Sequence, residues 1–377
     1  MATFVLRELR LRQYRNFAEL ELRFPPEGVA IIGENGSGKT NLLEAIGYLE
    51  IFRSFRGAPD EQLVRFGADA FHLRGRLGDS GSTREIAAAF ESSRGKRKRV
   101  TIDGVEPDRI GDALGQLGAI IFSPSDVEII RGSPAERRRF LDIVLSLNRP
   151  GYLVAVQRYR HVLRQRNAAL RDPRGYPLEA WNTALVEAGS RIIANRMTWV
   201  SEYAAEFAAH YSRISGTALQ GLMRYTPGLG RSSVETADPA AIAAAFESEL
   251  QRVAQRERDR GMTLVGPHRD DLVFEMNNGT GPVDMRSYGS GGQVRTAAIA
   301  LRLVEAETAR TQRRLDPVIL LDDVFAELDR PRSERIFELI DAQRPGQVIL
   351  TAPKESDVMF GHAALPRWHI AHGHVES

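Results

Sequence analysis

A glycine-rich loop near the N-terminus has the residue types and spacing to bind phosphate. It fits the pattern G-x-x-x-x-G-K-[ST] at every position. The loop consists of Gly33, Glu34, Asn35, Gly36, Ser37, Gly38, Lys39 and Thr40. Its glycines let backbone N–H groups close around phosphate oxygens, while Lys39 would reach the β- and γ-phosphates and the Thr40 hydroxyl would bind Mg²⁺. The pattern predicts a binding site for ATP and Mg²⁺, extended by Asn41 in the following helix.

Two adjacent acids supply a second chemical signature. Asp322 and Asp323 follow an apolar run, residues 318–321, that predicts a buried strand. The carboxyl end of such a strand is where a P-loop enzyme holds its metal. We expect Asp322 to bind Mg²⁺, directly or through water, and Asp323 to orient or deprotonate the attacking water. The alternative interpretation is an acidic strand end that caps a helix.

A second glycine-rich loop lies about thirty residues before the acidic strand. It consists of Ser290, Gly291, Gly292 and Gln293. A helical pattern follows it, and a helix N-terminus attracts anions. This order of motifs resembles that of ATP-binding-cassette heads, including their SMC-like branch. In such heads the loop closes on the γ-phosphate of a nucleotide held by a second head. The resemblance implies that two chains sandwich ATP and that Ser290 acts in catalysis across the dimer.

Strand and helix patterns place these motifs in an α/β domain. Continuous apolar runs at 29–32, 317–321 and 347–351 predict strands that are buried on both faces, as in a parallel sheet. Alternating residues at 19–24 and short segments within 70–122 predict further strands. The first loop therefore lies between a strand and a helix, which is the context that phosphate binding requires.

The middle of the chain has a helical pattern instead. The segment 133–136 has a serine, a proline and a glutamate at the N-cap, first and third positions of a helix, and helical spacing continues to about residue 260. A stretch with Gly and Pro at 215–240 predicts a loop within it. We expect a P-loop head of the ABC/SMC type, a mixed sheet with helices, with an inserted α-helical arm domain. The expected ranges are 1–123 and 261–377 for the discontinuous head and 124–260 for the arm.

Composition and charge narrow the classes of protein further. A chain of 377 residues suggests about two domains. The formal net charge of +2 neither demands nor excludes nucleic acid. The absence of cysteine excludes disulfides and thiolate metal sites. Because the sequence has neither a signal-peptide pattern nor an apolar run of about 18 residues, we expect a cytoplasmic protein with no membrane partner.

Longer motifs, taken together, resemble those of the RecF family of SMC-like ATPases. With the first loop they run nearly end to end along the chain. They are LRLRQYRNF at 9–17, FSPSD at 122–126, GSPAERRRFLD at 132–142, GPHRDD at 266–271 and LLDDVFAELD at 320–329. Two features depart from the expected pattern. The loop at 290–293 is closer to the general cassette form than to the form usual in the family, and Thr351 stands where many cassette ATPases carry a histidine.

The resemblance implies a function in recombinational repair and replication-fork maintenance. It implies an SMC-like head with a short arm and an ATP-dependent homodimer that binds duplex DNA near single-stranded gaps. It further implies joint action with RecR and RecO to load recombinase, and release by slow, DNA-stimulated ATP hydrolysis. The segment 327–329 resembles the loop that crosses between two such heads.

Clusters of basic residues give the DNA interpretation separate support. One cluster consists of Lys96, Arg97, Lys98 and Arg99 in a hairpin-like region, and a second consists of Arg158, Arg160 and Arg164 in the arm. Basic side chains on one face would contact phosphates without reading bases, although solvated surface is the alternative for either cluster. The arginines at 137–139 can instead pair with acids at the root of the arm. His268 is consistent with a structural hydrogen bond and with coupling ATP to the arm.

Three other functions fit parts of the pattern. A transporter ATPase subunit would have a much shorter segment than the 250 residues that separate Thr40 from Ser290 here. A scaffold that does not hydrolyse ATP is disfavoured by the complete set of candidate catalytic residues. Another SMC-like ATPase would share the head motifs.

Overall fold

The structure is a computed structural model, and it describes residues 5–78, 81–93, 95, 97–172, 177–231, 234–277, 279, 281–325, 328–358, 365–371 and 373–376. The strands within these residues are β1 Val5–Tyr14, β2 Phe17–Arg23, β3 Gly28–Ile32, β4 Ala70–Gly78, β5 Thr83–Glu91, β6 Arg97–Ile102, β7 Ala119–Phe122, β8 Gln220–Thr226, β9 Asp271–Asn277, β10 Pro282–Asp284, β11 Val318–Asp322, β12 Gln347–Ala352, β13 Arg367–Ala371 and β14 His374–Glu376. The helices are α1 Lys39–Ile51, α2 Val127–Arg131, α3 Pro134–Asn148, α4 Tyr152–Arg171, α5 Glu179–Ser215, α6 Pro239–Arg260, α7 Met285–Tyr288, α8 Gly291–Arg313 and α9 Arg330–Ala342.

The first of two compact units holds two sheets. It comprises Met1–Asp126, Arg213–Gly216 and Ile299–Ser377. One sheet has six strands in the order β14-β13-β3-β12-β11-β7, parallel from β13 to β7, with β14 antiparallel to β13. The other has five antiparallel strands in the order β2-β1-β4-β5-β6. The predicted α/β fold with a mixed sheet is confirmed.

Helix α1 packs against both sheets of this unit. It contacts β7 and β11 of the six-stranded sheet and β1, β4 and β5 of the five-stranded sheet. Ten of its thirteen residues are buried, because apolar side chains surround the helix on nearly every side. Glu50 is buried within it and accepts the backbone N–H groups of Leu117 and Gly118 at 2.9 and 2.8 Å. The helix that follows the phosphate loop is therefore fixed on all sides.

The second unit is mainly helical and also contains a small sheet. It comprises Val127–Ser212 and Thr217–Ala298. Strands β10, β9 and β8 form an antiparallel sheet in that order. The predicted loop at 215–240 is therefore wrong in part, because β8 pairs along its whole length with β9. Its partner lies about fifty residues away, so the turn residues around β8 dominated the local pattern.

The compact units divide the chain at points different from the expected domain limits. Residues 261–298 cluster with the helical unit, whereas the expected head included them. Strand β9 lies in this segment and pairs with β8, which follows the long helix α5. Arg137 of α3 also ion-pairs with Asp271, the first residue of β9, at 2.6 Å. The pairing partners of the segment, rather than its strand-like composition, decide where it belongs.

The helices of the predicted arm are confirmed, with one local difference. Helix α3 begins at the predicted proline, but the Ser133 side chain makes no capping hydrogen bond. Asp238 does cap α6, because its carboxylate accepts the N–H groups of Ala240 and Ala241. Among the described helices, none has the length and apolarity needed to cross a membrane.

Gly28 at the start of β3 offers a test of this packing. Its φ is +108°, and an added Cβ would lie 1.7 Å from the carbonyl oxygen of Val348 in β12. We expect Gly28→Ala to lower the free energy of unfolding by about 1–2 kcal/mol for the left-handed φ and about 1–3 kcal/mol more for the overlap.

The matched control is Gly67→Ala, because Gly67 has a φ of +85° and an added Cβ there would meet nothing within 4 Å. Urea midpoints followed by circular dichroism would compare the two variants with the wild type. Equal midpoints for the two variants would contradict the packing of β3 on β12.

Candidate nucleotide-binding site

The phosphate loop joins the end of β3 to the start of α1. Three glycines in it have no room for a side chain or adopt a backbone that disfavours one. A Cβ on Gly33 would lie 2.4 Å from the carbonyl oxygen of Ile370, and one on Gly38 would lie 2.5 Å from Asn16 Nδ2. Gly36 and Gly38 have φ values of +85° and +113°. The loop conformation therefore requires the glycines that the motif supplies.

The Lys39 side chain folds back onto its own loop. Its ammonium donates hydrogen bonds to the carbonyl oxygens of Gly33 at 2.6 Å and Glu34 at 3.2 Å. The same nitrogen lies 3.8 Å from Asp323 Oδ2. Only 4% of the lysine side chain is exposed, so its charge acts in a partly desolvated setting. A phosphate group cradled by the loop would meet this ammonium.

Thr40 and Asp322 meet although they are far apart in sequence. The Thr40 hydroxyl donates to Asp322 Oδ1 at 2.8 Å. Burial raises the pKa of Asp322 to about 6; the hydrogen bond from Thr40 lowers it, and the nearby charge of Asp323 raises it. A cation beside this carboxylate would offset the cost of desolvating it.

These two oxygens fit a magnesium site. Their 2.8 Å separation is close to the ~2.9 Å between neighbouring ligands of an octahedral Mg²⁺ with bonds of about 2.0–2.1 Å. Among the described residues no group of three or more His, Cys, Asp or Glu side chains could hold a metal. An ion held by Thr40 and Asp322 would therefore complete its shell with phosphate oxygens and water, as Mg²⁺ commonly does.

Thr351 connects the two candidate acids. It lies beside Asp322 in the parallel register of β12 and β11. Its hydroxyl is 3.2 Å from Asp322 Oδ1 and 3.4 Å from Asp323 Oδ1, and it accepts the backbone N–H of Asp323 at 3.1 Å. In the sequence, this position stands out only because many cassette ATPases carry a histidine there. Its contacts with both acids were missed because they depend on the order of strands in the sheet.

Asp323 has a left-handed backbone. Its φ is +47°, a region that costs most residues about 1–2 kcal/mol, although Asp tolerates it better than most. The conformation occurs directly after β11 and leaves the carboxylate one-quarter exposed, 3.8 Å from the Lys39 ammonium. Strained conformations of this kind concentrate at functional sites.

A turn between β1 and β2 supports the phosphate loop from outside. Asn16 in this turn donates weakly to the Ser37 carbonyl at 3.4 Å and accepts from the Asn41 side chain at 2.8 Å. Arg15 next to it forms two hydrogen bonds, at 2.8 and 2.9 Å, with the buried carboxylate of Glu44 in α1. In the sequence, these residues stand out only through the family resemblance, because no feature of the neighbouring sequence shows that the turn contacts the phosphate loop.

The second glycine loop is closed by reciprocal hydrogen bonds within the second unit. The N–H of Ser290 donates to Gln293 Oε1 at 2.8 Å, and the N–H of Gln293 donates to Ser290 Oγ at 3.3 Å. This is the capping-box arrangement, and it fixes the start of α8. Ser290 and Gly291 are exposed, so the Ser290 hydroxyl, which accepts from Gln293 and can still donate its own proton, lies on the surface of the unit.

Comparisons with known proteins identify the family. The RecF/RecN/SMC N terminal domain family matches residues 5–365. The DNA replication and repair protein RecF of Salinibacter ruber is 36% identical over 97% of this chain and 89% of its own length. That of Synechococcus sp. is 38% identical over 89% of this chain and 88% of its own length. The chain belongs to the RecF family. Its head is that of a P-loop ATPase, in agreement with the motifs.

Solved structures extend this agreement to the fold. A structure of the recombination mediator protein RecF-ATP in the RecFOR pathway has a TM-score of 0.88 and 30% identity, and covers 99% of this chain and 97% of that chain. A RecF-ATPrS structure has a TM-score of 0.86 and 29% identity, with 99% and 98% covered. An Smc head bound to a domain of ScpA, 16% identical over 99% of this chain and 96% of that chain, shares the fold with a TM-score of 0.56. The RecF relatives match along nearly the whole chain, which disfavours the transporter alternative.

The first basic cluster of this RecF-family chain is partly occupied by ion pairs. Lys96 lies outside the described residues. Lys98 pairs with Asp60 at 2.6 Å, and Arg99 pairs with Glu106. Arg97 is exposed. The predicted run of cations is therefore not a uniform row of available charges.

The second basic cluster does not share one face of α4. At 100° per residue, Arg160 and Arg164 lie on one side of the helix and Arg158 lies on the other. Arg158 pairs with Glu187 at 2.8 Å, and Arg160 pairs with Asp142 at 2.8 Å. Arg164 is exposed. Of this cluster, Arg160 and Arg164 are the two that can contact one phosphate backbone together.

His268 makes structural hydrogen bonds. Its Nδ1 lies 2.7 Å from the Tyr159 hydroxyl, and its Nε2 lies 3.1 Å from the Thr263 carbonyl. Since a carbonyl can only accept, Nε2 carries the proton and the tyrosine donates to Nδ1. Burial lowers the pKa of His268 to about 4, so the ring is neutral at pH 7. Of the segment 327–329, which resembles the loop that crosses between two heads, Glu327 lies outside the described residues. Asp329 caps α9 by accepting the N–H of Arg332 at 2.9 Å.

Thr351→Val offers a test of the link between the two acids. The substitution keeps the shape of the side chain and removes the hydroxyl between Asp322 and Asp323. Because a hydrogen bond to a charged group contributes about 1.5–3 kcal/mol, we expect ATP turnover at limiting Mg²⁺ to fall roughly tenfold or more.

The control is Thr351→Ser, which keeps the hydroxyl and should stay near the wild-type rate. Turnover would be measured across a Mg²⁺ titration, with the unfolding midpoint as a check on the fold. An unchanged Mg²⁺ dependence in the valine variant would show that Thr351 does not position the acids.

Proposed function

We propose that the chain is an ATP-dependent DNA-binding ATPase that acts in the cytoplasm in recombinational repair and replication-fork maintenance. The observation that carries this proposal is the assembly of Lys39, Thr40, Asp322 and Asp323 around one phosphate loop. Membership of the RecF family, with relatives whose structures contain ATP or ATPrS, supports ATP as the nucleotide.

Each residue of the site has a proposed role in ATP hydrolysis. The N–H groups of the loop and the Lys39 ammonium bind the β- and γ-phosphates. Thr40 and Asp322 hold Mg²⁺, which when bound neutralises charge on the phosphate oxygens. Asp323 orients the attacking water and accepts its proton, and Thr351 fixes the distance between the two acids.

The second glycine loop acts on a nucleotide bound by another copy of the chain. Its exposed hydroxyl and the N-terminus of α8 suit a γ-phosphate, which carries the most negative charge of the triphosphate. In this proposal two copies enclose two ATP molecules, each between the phosphate loop of one copy and Ser290 of the other. The set of Gly291, Gly292 and Gln293 lets the backbone approach that phosphate closely.

The dimer binds duplex DNA near single-stranded gaps. It acts with RecR and RecO to load recombinase, and slow, DNA-stimulated hydrolysis releases it. Membership of the RecF family and the two related structures of RecF in the RecFOR pathway support this part of the proposal. The basic residues that we propose as phosphate contacts are Lys96, Arg97, Arg160 and Arg164. Lys98, Arg99 and Arg158 are further candidates. Like Arg160, each pairs with an acid of the same unit, which a DNA phosphate would have to displace.

The mass of the protein in solution tests the dimer. We expect Asp323→Asn to bind ATP but hydrolyse it slowly, and therefore to accumulate as a dimer when ATP and gapped duplex DNA are present. Mass photometry or light scattering with and without ATP would measure this. The control is Lys39→Met, which should remain monomeric under the same conditions. A monomer with ATP and DNA bound would refute the two-copy mechanism.

Mixing two inactive variants tests whether Ser290 acts across the dimer. Lys39→Met and Ser290→Ala should each lose most ATP turnover. A mixed dimer has one intact site, formed by Lys39 of one copy and Ser290 of the other, so the mixture should regain part of the wild-type rate. If Ser290 acted on nucleotide in its own copy, mixing would restore no activity.

A further inference from the structure

The second unit contains a cavity with four arginines among its lining residues, which are otherwise mostly apolar. Its volume is about 250 Å³, and α3, α4 and α5 contribute to its wall. Arg138, Arg139, Arg160 and Arg196 line it, with Asp142 as the acidic lining residue. The cavity is separate from the phosphate loop, which belongs to the first unit. Nothing in the proposed hydrolysis of ATP uses it.

The floor of this cavity is rigid and fully hydrogen-bonded. Arg196 is 4% exposed and donates to Asp270 Oδ2 at 2.6 Å, to Asp142 Oδ1 at 2.8 Å and to the Tyr152 hydroxyl at 3.0 Å. Asp270 is completely buried and also accepts the N–H of Gly228 at 2.6 Å. Such a network holds its groups in one arrangement. The shape of the cavity is therefore preformed.

Among the described residues, three of the lining arginines, Arg138, Arg160 and Arg196, lie beside only two carboxylates that form hydrogen bonds with any of them. Asp142 and Asp270 are shared between Arg196 and Arg160. Arg138 instead donates to the main-chain carbonyl of Asp270 at 2.8 Å, which cancels no charge. Burial, and then the nearby charge of Arg196, lower the pKa of Arg138, while the charges of Asp270, Asp271 and Asp142 raise it by less.

Two further features suit an anion. Ala135 in the first turn of α3 lines the cavity, so the positive end of this fifteen-residue helix faces the same space. His268 also lines the cavity. Its ring is neutral and both ring nitrogens form hydrogen bonds, so it adds no charge to the lining. The planar guanidinium groups match the oxygens of phosphate in two-point hydrogen bonds.

We propose that this cavity binds a phosphate group through Arg138, Arg139 and Arg160. The phosphate belongs either to the DNA backbone or to a small free anion. Where it belongs to DNA, the inference rests on the proposed function. The floor formed by Arg196 and Asp270 positions the three arginines and does not itself need to contact the ligand.

Pyrophosphate is the probe for the first experiment. Calorimetry would titrate it into the full chain with the phosphate loop saturated by ADP and Mg²⁺, so that heat from that loop is suppressed. We expect saturable binding by the wild type and binding about tenfold weaker or more in Arg138→Gln, which keeps a donor for the Asp270 carbonyl. Arg160→Gln, with an exposed side chain, is the second variant should the first fold poorly. The matched control is Arg171→Gln, since Arg171 is exposed on the same helix, does not line the cavity and has no proposed contact with DNA.

Duplex DNA then distinguishes the two sources. If the phosphate is part of DNA, Arg138→Gln weakens DNA binding and lowers its salt dependence by about one phosphate contact. If it is a small anion, pyrophosphate binding is lost and DNA binding is unchanged. Either result supports the cavity as a phosphate site. Absence of pyrophosphate binding in the wild type, or equal binding in Arg138→Gln and Arg171→Gln, would overturn it. A failure of ATP-dependent dimerisation would refute the proposed function and leave this result intact.

Discussion

The nucleotide site depends on the parallel register of three strands, β3, β12 and β11. Hydrogen bonding along the sheet aligns Asp322 with Thr351, and Thr351 with Ile31. The phosphate loop therefore starts just beyond the same edge at which the acidic strand ends. Parallel strands place their carboxyl ends together, so residues almost three hundred positions apart meet within hydrogen-bond distance. A shift of one residue in this register would separate Thr40 from Asp322 and turn Thr351 away from both acids.

The packing of α1 holds the phosphate loop in a fixed position beside these strand ends. A phosphate loop needs a fixed helix N-terminus, and α1 is fixed by packing against both sheets of its unit. Two carboxylates are buried within this helix, and burying them would be energetically unfavourable if they had no hydrogen-bonding partners. Glu44 binds Arg15 and Ser54, and Glu50 accepts two backbone N–H groups. These contacts tie the helix to the β1–β2 turn and to the segment before β7, so the loop is held from several directions.

The second unit uses buried arginines in a similar way. Arg196, Arg166 and Arg137 each lie almost completely inside the protein, and each is matched by carboxylates and other acceptors. Buried ion pairs of this kind contribute little net stability, but leaving one partner alone would cost several kcal/mol, about 3–5. They therefore act mainly to specify geometry. Around the proposed phosphate cavity this geometry leaves Arg138 hydrogen-bonded to a main-chain carbonyl rather than to a carboxylate.

The local sequence determined the parts of the protein whose chemistry is local. The phosphate loop could be predicted because its glycines and lysine act through backbone next to them, and Asp322 could be predicted because an apolar run ends there. The helices from α3 to α6 followed from their spacing. Tertiary structure alone decided the rest, because each case depends on a distant partner. Strand β8 exists because β9 pairs with it, and Lys98 and Arg99 pair with acids outside their own run. Thr351 gains its place between two acids from strand order, which no local pattern contains.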